Sequence, residues 1–236
     1  MTKANSFEEK IRVAILDDHQ SAVDGYTLRL SSKENIQVVG TASYGNDLGQ
    51  LLEEQKVDVL VLDVGVLNSS EDSSPYPLLH ILPRLRKAYP HMSILVISMH
   101  DQRSLVKAVL DAGATGYILK DDREAIIQLA EAVTLVNTGG IYLSQKLRSV
   151  LVDSGASGGS LVLSERQREA LSLAAAYPDI TTGALAELMS IAPSTLRNLL
   201  SKAYKRLNVR NRLAATQKAR DLGLITPYLH GADLTK

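Results

Sequence analysis

Short apolar runs rich in β-branched residues recur through the first half of the chain: "RVAIL", "IQVVGTA", "VDVLVLD", "SILVIS" and "GYILK". They are apolar on both faces rather than at alternate positions, as strands of a parallel sheet covered on both sides must be. Between them lie stretches with helical spacing, such as "DLGQLLEEQ" and "SLVKAVLDAGA", and "EAIIQLAEAVTLVN" follows the fifth run. Five β-α units predict an α/β domain, a five-stranded doubly wound parallel sheet whose ligands collect at the carboxyl ends of the strands. Pro83 interrupts "PLLHILPRLRKAY", and its missing N–H predicts a kink or two short helices between 75 and 89.

After position 160 the pattern becomes entirely helical. "LSERQREALSLAAAY" opens with Ser164 and carries Gln167 three places on, a capping box in which each side chain satisfies an unpaired backbone N–H. "TTGALAELMS", "APSTLRNLLSKAYKRLN" with Pro193 near its first position, and "NRLAATQKARDLGLI" predict three further helices. The tight "IAP" between the second and third reads as a helix-turn-helix. The stretch "VDSGASGGS", residues 152–160, is small and polar and reads as a flexible tether. It neither follows an apolar strand nor ends in Gly-Lys-Ser/Thr, so it is not a phosphate cradle. The expected organisation is an α/β domain over 9–140, a helical extension and linker over 141–163, and an all-α four-helix domain over 164–228.

With 45% hydrophobic and 22% charged residues, the 236-residue chain has the composition of a globular protein with room for two cores. The absence of cysteine excludes disulfides, thiolate metal sites and a cysteine nucleophile, and permits a reducing compartment. No apolar run approaches the ~20 residues that span a bilayer, and "MTKANSFEEKIR" lacks a secretory apolar core. A cytoplasmic protein without a membrane partner is expected. The formal net charge of zero hides an asymmetry: residues 1–153 hold 15 basic and 20 acidic side chains, residues 164–236 hold 11 and 6. A basic helical module on an acidic partner points to a polyanion at the carboxyl-terminal end.

The predicted strand ends carry the chemistry. Asp17 and Asp18 close the first strand, Asp63 the third, Ser98 the fourth and Lys120 the fifth, so all meet at one edge. One strand-end acid is ordinarily a solvated turn or helix cap. Three carboxylates converging with one ammonium instead invite a hard divalent cation, and oxygen ligands favour Mg²⁺ over zinc.

In the last domain, basic residues run from Arg197 through Lys202, Lys205, Arg206, Arg210, Arg212 and Lys218 to Arg220 without an intervening acid. Helical spacing turns Leu196, Leu199, Leu200, Ala203 and Leu207 inward and leaves Arg197, Asn198, Ser201, Lys202 and Lys205 outward. Arg197 and Asn198 suit base edges in a major groove. Lys202, Lys205, Arg206, Arg210 and Arg212 suit phosphates of double-stranded DNA.

Through "LDDH", "VLVLDV", "VISMHD", "AGATGYILKD", "LSERQREAL" and "STLRNLLSKAYKRLNVRNRLAA", the chain resembles bacterial two-component response regulators of the NarL/FixJ group with a LuxR-type DNA-binding domain. The resemblance covers residues 11–222. It implies a flavodoxin-like receiver domain followed by a helix-turn-helix. Asp63 would accept a phosphoryl group from a sensor histidine kinase or small phosphodonor. Asp17, Asp18, Asp63 and the Gly65 carbonyl would surround Mg²⁺, Lys120 and Ser98 would contact the phosphoryl oxygens, and Tyr117 would be the aromatic switch, turning inward. The final helix would pair two copies as a homodimer on adjacent half-sites.

The chain departs from that pattern at four places. "DVGVLNSSEDSSPYP" replaces a Met-Pro-Gly turn, Asp121 replaces a proline after Lys120, Leu199 a histidine, and Ala192 a capping serine. The altered loop keeps a second reading open, a phosphorylation-independent DNA-binding regulator whose receiver is a dimerisation or protein-interaction scaffold. An aspartate-nucleophile phosphatase fits poorly, because it needs acids two residues apart and here Asp17 and Asp18 are adjacent.

Overall fold

The computed structural model describes residues 10–72, 74–152 and 163–226. Six parallel strands form one sheet in the order β2-β1-β3-β4-β5-β6: β1 Ile11–Leu16, β2 Ile36–Ala42, β3 Val59–Asp63, β4 Ser93–Ser98, β5 Gly116–Leu119 and β6 Tyr142–Leu143. The five expected strands are present. The sixth, only two residues long, was not legible as an apolar run; it pairs Tyr142 with Gly116 and Leu143 with Tyr117. The sheet therefore extends past residue 140, and the helix Gln145–Val152 follows it directly. Residues 153–162, most of the expected tether, lie outside the described residues.

Strands β3, β4 and β5 are buried at every position, which explains their unbroken apolarity. Because successive side chains point to opposite faces, each strand feeds two cores. Ala14, Leu16, Leu60, Leu62, Val96 and Tyr117 belong to one. Val13, Ile15, Val59, Val61, Ile97 and Ile118 belong to the other. Helices α1 Gln20–Leu30, α5 Arg123–Ile127 and α6 Leu129–Asn137 cover the second core. Helices α2 Leu48–Glu54, α3 Leu78–Ala88 and α4 Arg103–Asp111 cover the first. Pro83 neither ends nor divides α3, because the buried stripe Leu78, Leu79, Leu82 and Leu85 holds the helix against the sheet despite the lost hydrogen bond.

With α7 being Gln145–Val152, the last domain is built from α8 Glu165–Ala176, α9 Thr182–Leu188, α10 Pro193–Leu207 and α11 Arg212–Asp221, around a core of its own. The Ser164–Gln167 capping box forms in both directions. Ala192 caps α10 without a side-chain bond, Pro193 sits in its first turn, and Asn208 closes it in a left-handed conformation (φ 54°). Among the described residues no helix is long and apolar enough to cross a membrane, and there is no cis peptide bond.

The altered loop after Asp63 folds back on itself. Leu67 bridges Pro75, the Tyr76 N–H donates to the Val66 carbonyl at 2.8 Å, and the Gly45 N–H donates to the Leu67 carbonyl at 2.8 Å. Gly45 is required there: a Cβ would stand 2.0 Å from Cδ2 of the Tyr76 ring. Gly45→Ala is therefore expected to lose about 1–3 kcal/mol as the packed ring is displaced, read from urea melts. A melt superimposed on that of the unaltered chain would mean the ring yields freely.

Candidate functional site

Register brings the acids together. Leu16 pairs with Leu62 across β1 and β3, so the next residues, Asp17 and Asp63, emerge side by side. Ser98 pairs with Leu119 across β4 and β5, and the Lys120 N–H donates to the Ser98 carbonyl at 2.8 Å. The order of strands thus fixes the order of groups along the rim.

Lys120 Nζ donates to Asp17 Oδ2 at 2.8 Å and to Asp63 Oδ2 at 3.0 Å. Both carboxylates are nearly sealed, with side-chain exposures of 1% for Asp17 and 6% for Asp63. Burial raises the Asp63 carboxyl above its usual range; attraction to Lys120 opposes that rise and the neighbouring Asp17 adds to it. For Lys120, burial works against the charge, but Asp63 and Asp17 outweigh it and its pKa lies above the ordinary lysine value. The Gly65 N–H also hydrogen-bonds Asp63.

A ligand atom from each of Asp17, Asp18, His19 and Asp63 lies within 4.8 Å of the others. His19 Nδ1 meets Asp18 Oδ1 at 2.7 Å, and the His19 backbone N–H donates to Asp17 Oδ1 at 3.0 Å. His19 follows the acid pair directly in the sequence, and that adjacency to two carboxylates is the signal that marks it. Tyr26 of α1 was also missed. It is 5% exposed, and its hydroxyl is pushed up to about 12, chiefly by burial, with Lys120 opposing. No spacing rule would have directed it to the rim.

Ser98 and Tyr117 stand beside this cluster. Tyr117 is completely buried, its hydroxyl donates to the His100 carbonyl at 2.7 Å, and the His100 N–H donates to Ser98 Oγ at 3.1 Å. Burial raises the Tyr117 hydroxyl well above its ordinary value, with a Ser98 hydrogen bond pulling the other way. His19, Ala22, Asp63, Gly65, Ser98 and Lys120 line one cleft. It offers an anionic oxygen beside an ammonium and a hydroxyl, the set needed to receive an electrophile whose own oxygens carry negative charge.

On α10, Leu196, Leu200, Ala203 and Leu207 are buried and Leu199 is half-buried. Arg197, Asn198, Ser201, Lys202, Lys205, Arg206 and Arg210 are exposed. Arg206 donates to Gln167 Oε1 at 3.1 Å. Arg212 departs from the expected phosphate-facing set. Its guanidinium donates to the carbonyls of Ile180, Ala174 and Tyr177 at 2.8, 3.2 and 2.5 Å, because those carbonyls lie at the open end of α8 and in the turn beyond it.

Residues 13–131 match the response regulator receiver domain family. The transcriptional regulatory protein DegU of Brevibacillus brevis is 29% identical, over 88% of this chain and 92% of its own. The oxygen regulatory protein NreC of Staphylococcus epidermidis is 31% identical, over 70% of this chain and 77% of its own. A structure of RcsB from Salmonella enterica serovar Typhimurium, bound to promoter rprA with a phosphomimetic, aligns with a TM-score of 0.62 at 21% identity, over 89% of this chain and 98% of that one. At that identity it supports the fold alone.

Removing the ammonium should expose the repulsion it masks. Lys120→Met is expected to cost about 3 kcal/mol at neutral pH, as a buried ion pair losing one partner does. Asp63, already raised by burial and by the neighbouring Asp17, loses the opposing pull of Lys120 and binds its proton more tightly folded than unfolded, so the deficit relative to the unaltered chain shrinks as pH falls toward the ordinary carboxylate value of about 4. Urea melts at both pH values check this; an equal deficit at both would contradict it.

Proposed function

The chain belongs to the response regulator receiver family, and on that premise we propose that it is a two-component DNA-binding transcription regulator switched by phosphoryl transfer to Asp63. The observation that carries the proposal is the Lys120 ammonium held between Asp17 and Asp63 beside the Ser98 hydroxyl. An Asp63 oxygen forms the new bond to phosphorus while the donor's bond breaks, the leaving group keeping the bonding pair. Lys120 and Ser98 meet the phosphoryl oxygens, and positioning with charge neutralisation supplies most of what such a transfer needs. The donor is a sensor histidine kinase or a small phosphodonor.

The clustered oxygens of Asp17, Asp18 and Asp63, with His19 beside them, fit a hard divalent cation. Asp17, Asp18, Asp63 and the Gly65 carbonyl are the groups that would hold Mg²⁺, which when bound neutralises phosphoryl charge. Tyr117, turned inward beside Ser98, is the switch. The exposed residues of α10 enter the major groove, Arg197 and Asn198 toward base edges and Ser201, Lys202, Lys205 and Arg206 toward the backbone, joined there by Arg210 of the turn that follows. Arg212, tied to three carbonyls, braces the domain that presents them. Two copies pair on adjacent half-sites, and the setting is cytoplasmic.

Asp63→Asn is expected to abolish phosphoryl uptake from acetyl phosphate and Mg²⁺, read by intact mass, while binding to duplex DNA persists. Uptake at full level in this variant would move the acceptor elsewhere. On DNA, Lys205→Ala should weaken binding evenly across sequences and lower the salt slope by about 1. Arg197→Ala should cost about 1–3 kcal/mol and relax specificity. Genomic occupancy and transcription unchanged by Asp63→Ala would select the second reading, a scaffold receiver with phosphorylation-independent DNA binding.

A further inference from the structure

His19 closes the "LDDH" run and is the N-cap residue of α1, yet its side chain makes no capping bond. The ring turns back onto the acid pair instead. Nδ1 stands 2.7 Å from Asp18 Oδ1 and 3.5 Å from Asp17 Oδ1, and the backbone N–H, donating to that same Asp17 oxygen at 3.0 Å, fixes the turn. Lys120 holds the other oxygen of Asp17, Oδ2, together with Asp63 Oδ2. The ammonium and the imidazole therefore face different oxygens of the same buried carboxylate.

A dication in octahedral coordination, with bonds of about 2.1 Å, sets neighbouring donors about 3 Å apart and opposite donors about 4.2 Å apart. The two separations from Nδ1 bracket the first value. One donor each from Asp17, Asp18, His19 and Asp63 falls within 4.8 Å of the others, so the four close on a single ion with sub-ångström adjustment. Among the described residues, no other group of three or more His, Asp and Glu donors gathers this closely. The His19 side chain is 62% exposed, so water can satisfy its second ring nitrogen. His19 lines the cleft that holds Asp63 and Lys120; His100 lines it too but adds no donor to the cluster.

Donor chemistry gives the arrangement its sense. Carboxylate oxygens alone suit Mg²⁺, a hard ion that keeps its water and takes oxygen. Imidazole nitrogen suits the later first-row dications, whose affinity for nitrogen-oxygen sites rises along the series. An imidazole that only offset the charge of the acids would need one carboxylate neighbour, and so exposed a pair contributes little. It would not need to stand among all three.

We infer that His19 is a fourth side-chain ligand of the rim's metal site, making it a mixed nitrogen-oxygen centre whose imidazole sets a preference for later first-row dications, of the Fe²⁺ to Zn²⁺ kind, over Mg²⁺. This rests on the reading above that Asp17, Asp18 and Asp63 hold a dication. It adds the group that decides which one.

The test uses the full chain, whose lack of cysteine leaves no thiolate to compete for such ions. Co²⁺ is the probe, close to Mg²⁺ in size and octahedral preference but ready to take nitrogen. Calorimetry at one fixed pH reads the affinities for Co²⁺ and Mg²⁺. Nuclear magnetic resonance of chain carrying isotope-labelled histidine reads which ring is bound, through the hyperfine shift that Co²⁺ imposes on a coordinated imidazole. His19→Ala is expected to weaken Co²⁺ about 10-fold or more, to abolish one hyperfine-shifted ring, and to leave Mg²⁺ affinity within about 2-fold, which also shows the rim still folded. His100→Ala should change neither affinity. The inference is overturned if His19→Ala lowers both affinities by the same factor, as a structural role requires, raises both, as an ion pair competing with any dication requires, or leaves Co²⁺ unchanged. A chain that takes up neither ion at the rim removes the metal-holding reading and this ligand with it. Mg²⁺ uptake with Co²⁺ affinity indifferent to His19 removes the ligand alone.

Discussion

The ammonium of Lys120 makes the rest of the rim possible. The register that packs Leu16 beside Leu62 also forces Asp17 and Asp63 together where little water can screen them. Two like charges so close strongly disfavour double ionisation unless a cation intervenes. Lys120 comes from β5, beyond β4, and reaches carboxylates on β3 and β1. One side chain therefore ties together the carboxyl ends of three strands. The same charge that permits folding is the one a phosphoryl group would meet, so stability and chemistry rest on a single contact.

In the helical domain, cations divide between bracing and display. Arg212 satisfies the carbonyls of Ala174, Tyr177 and Ile180, while the capping box at Ser164 and Gln167 satisfies the other end of α8. With α8 fixed at both ends, α10 packs Leu196, Leu200, Ala203 and Leu207 into the core, and its opposite face is presented by rotation alone. The missing side-chain cap at Ala192 is tolerated because buried leucines, rather than the cap, set the helix in place.

The apolar runs disclosed five strands because each is buried on both faces, which leaves a continuous hydrophobic signature. They did not disclose β6, whose Tyr142 and Leu143 are only half-buried and too short to show any period. Asp17, Asp18, Asp63, Ser98 and Lys120 were legible because strand ends in a doubly wound sheet share an edge. The displacement of Arg212 was not: its charge fits a basic run, and only the path of the chain after α8 brings carbonyls to it. The hydrogen bond lost at Pro83 predicts a kink or a break, but the apolar stripe of α3 outweighs it. His80 of α3 meets Glu169 of α8 at 2.7 Å although they lie 89 residues apart, and nothing local to either marks the other.

The altered loop after Asp63 bears on connection more than on chemistry. Of its described residues only Gly65 lines the acidic cleft, so the extra length does not crowd Asp63. Instead, backbone hydrogen bonds to Gly45 and Asn46 and the Tyr76 ring packed over Gly45 carry the chain away from the rim. The Pro75–Pro77 end of the loop, with φ fixed at each proline, arrives at α8. A short turn would end near the acidic edge. A long, internally bonded loop instead runs from that edge to the second domain.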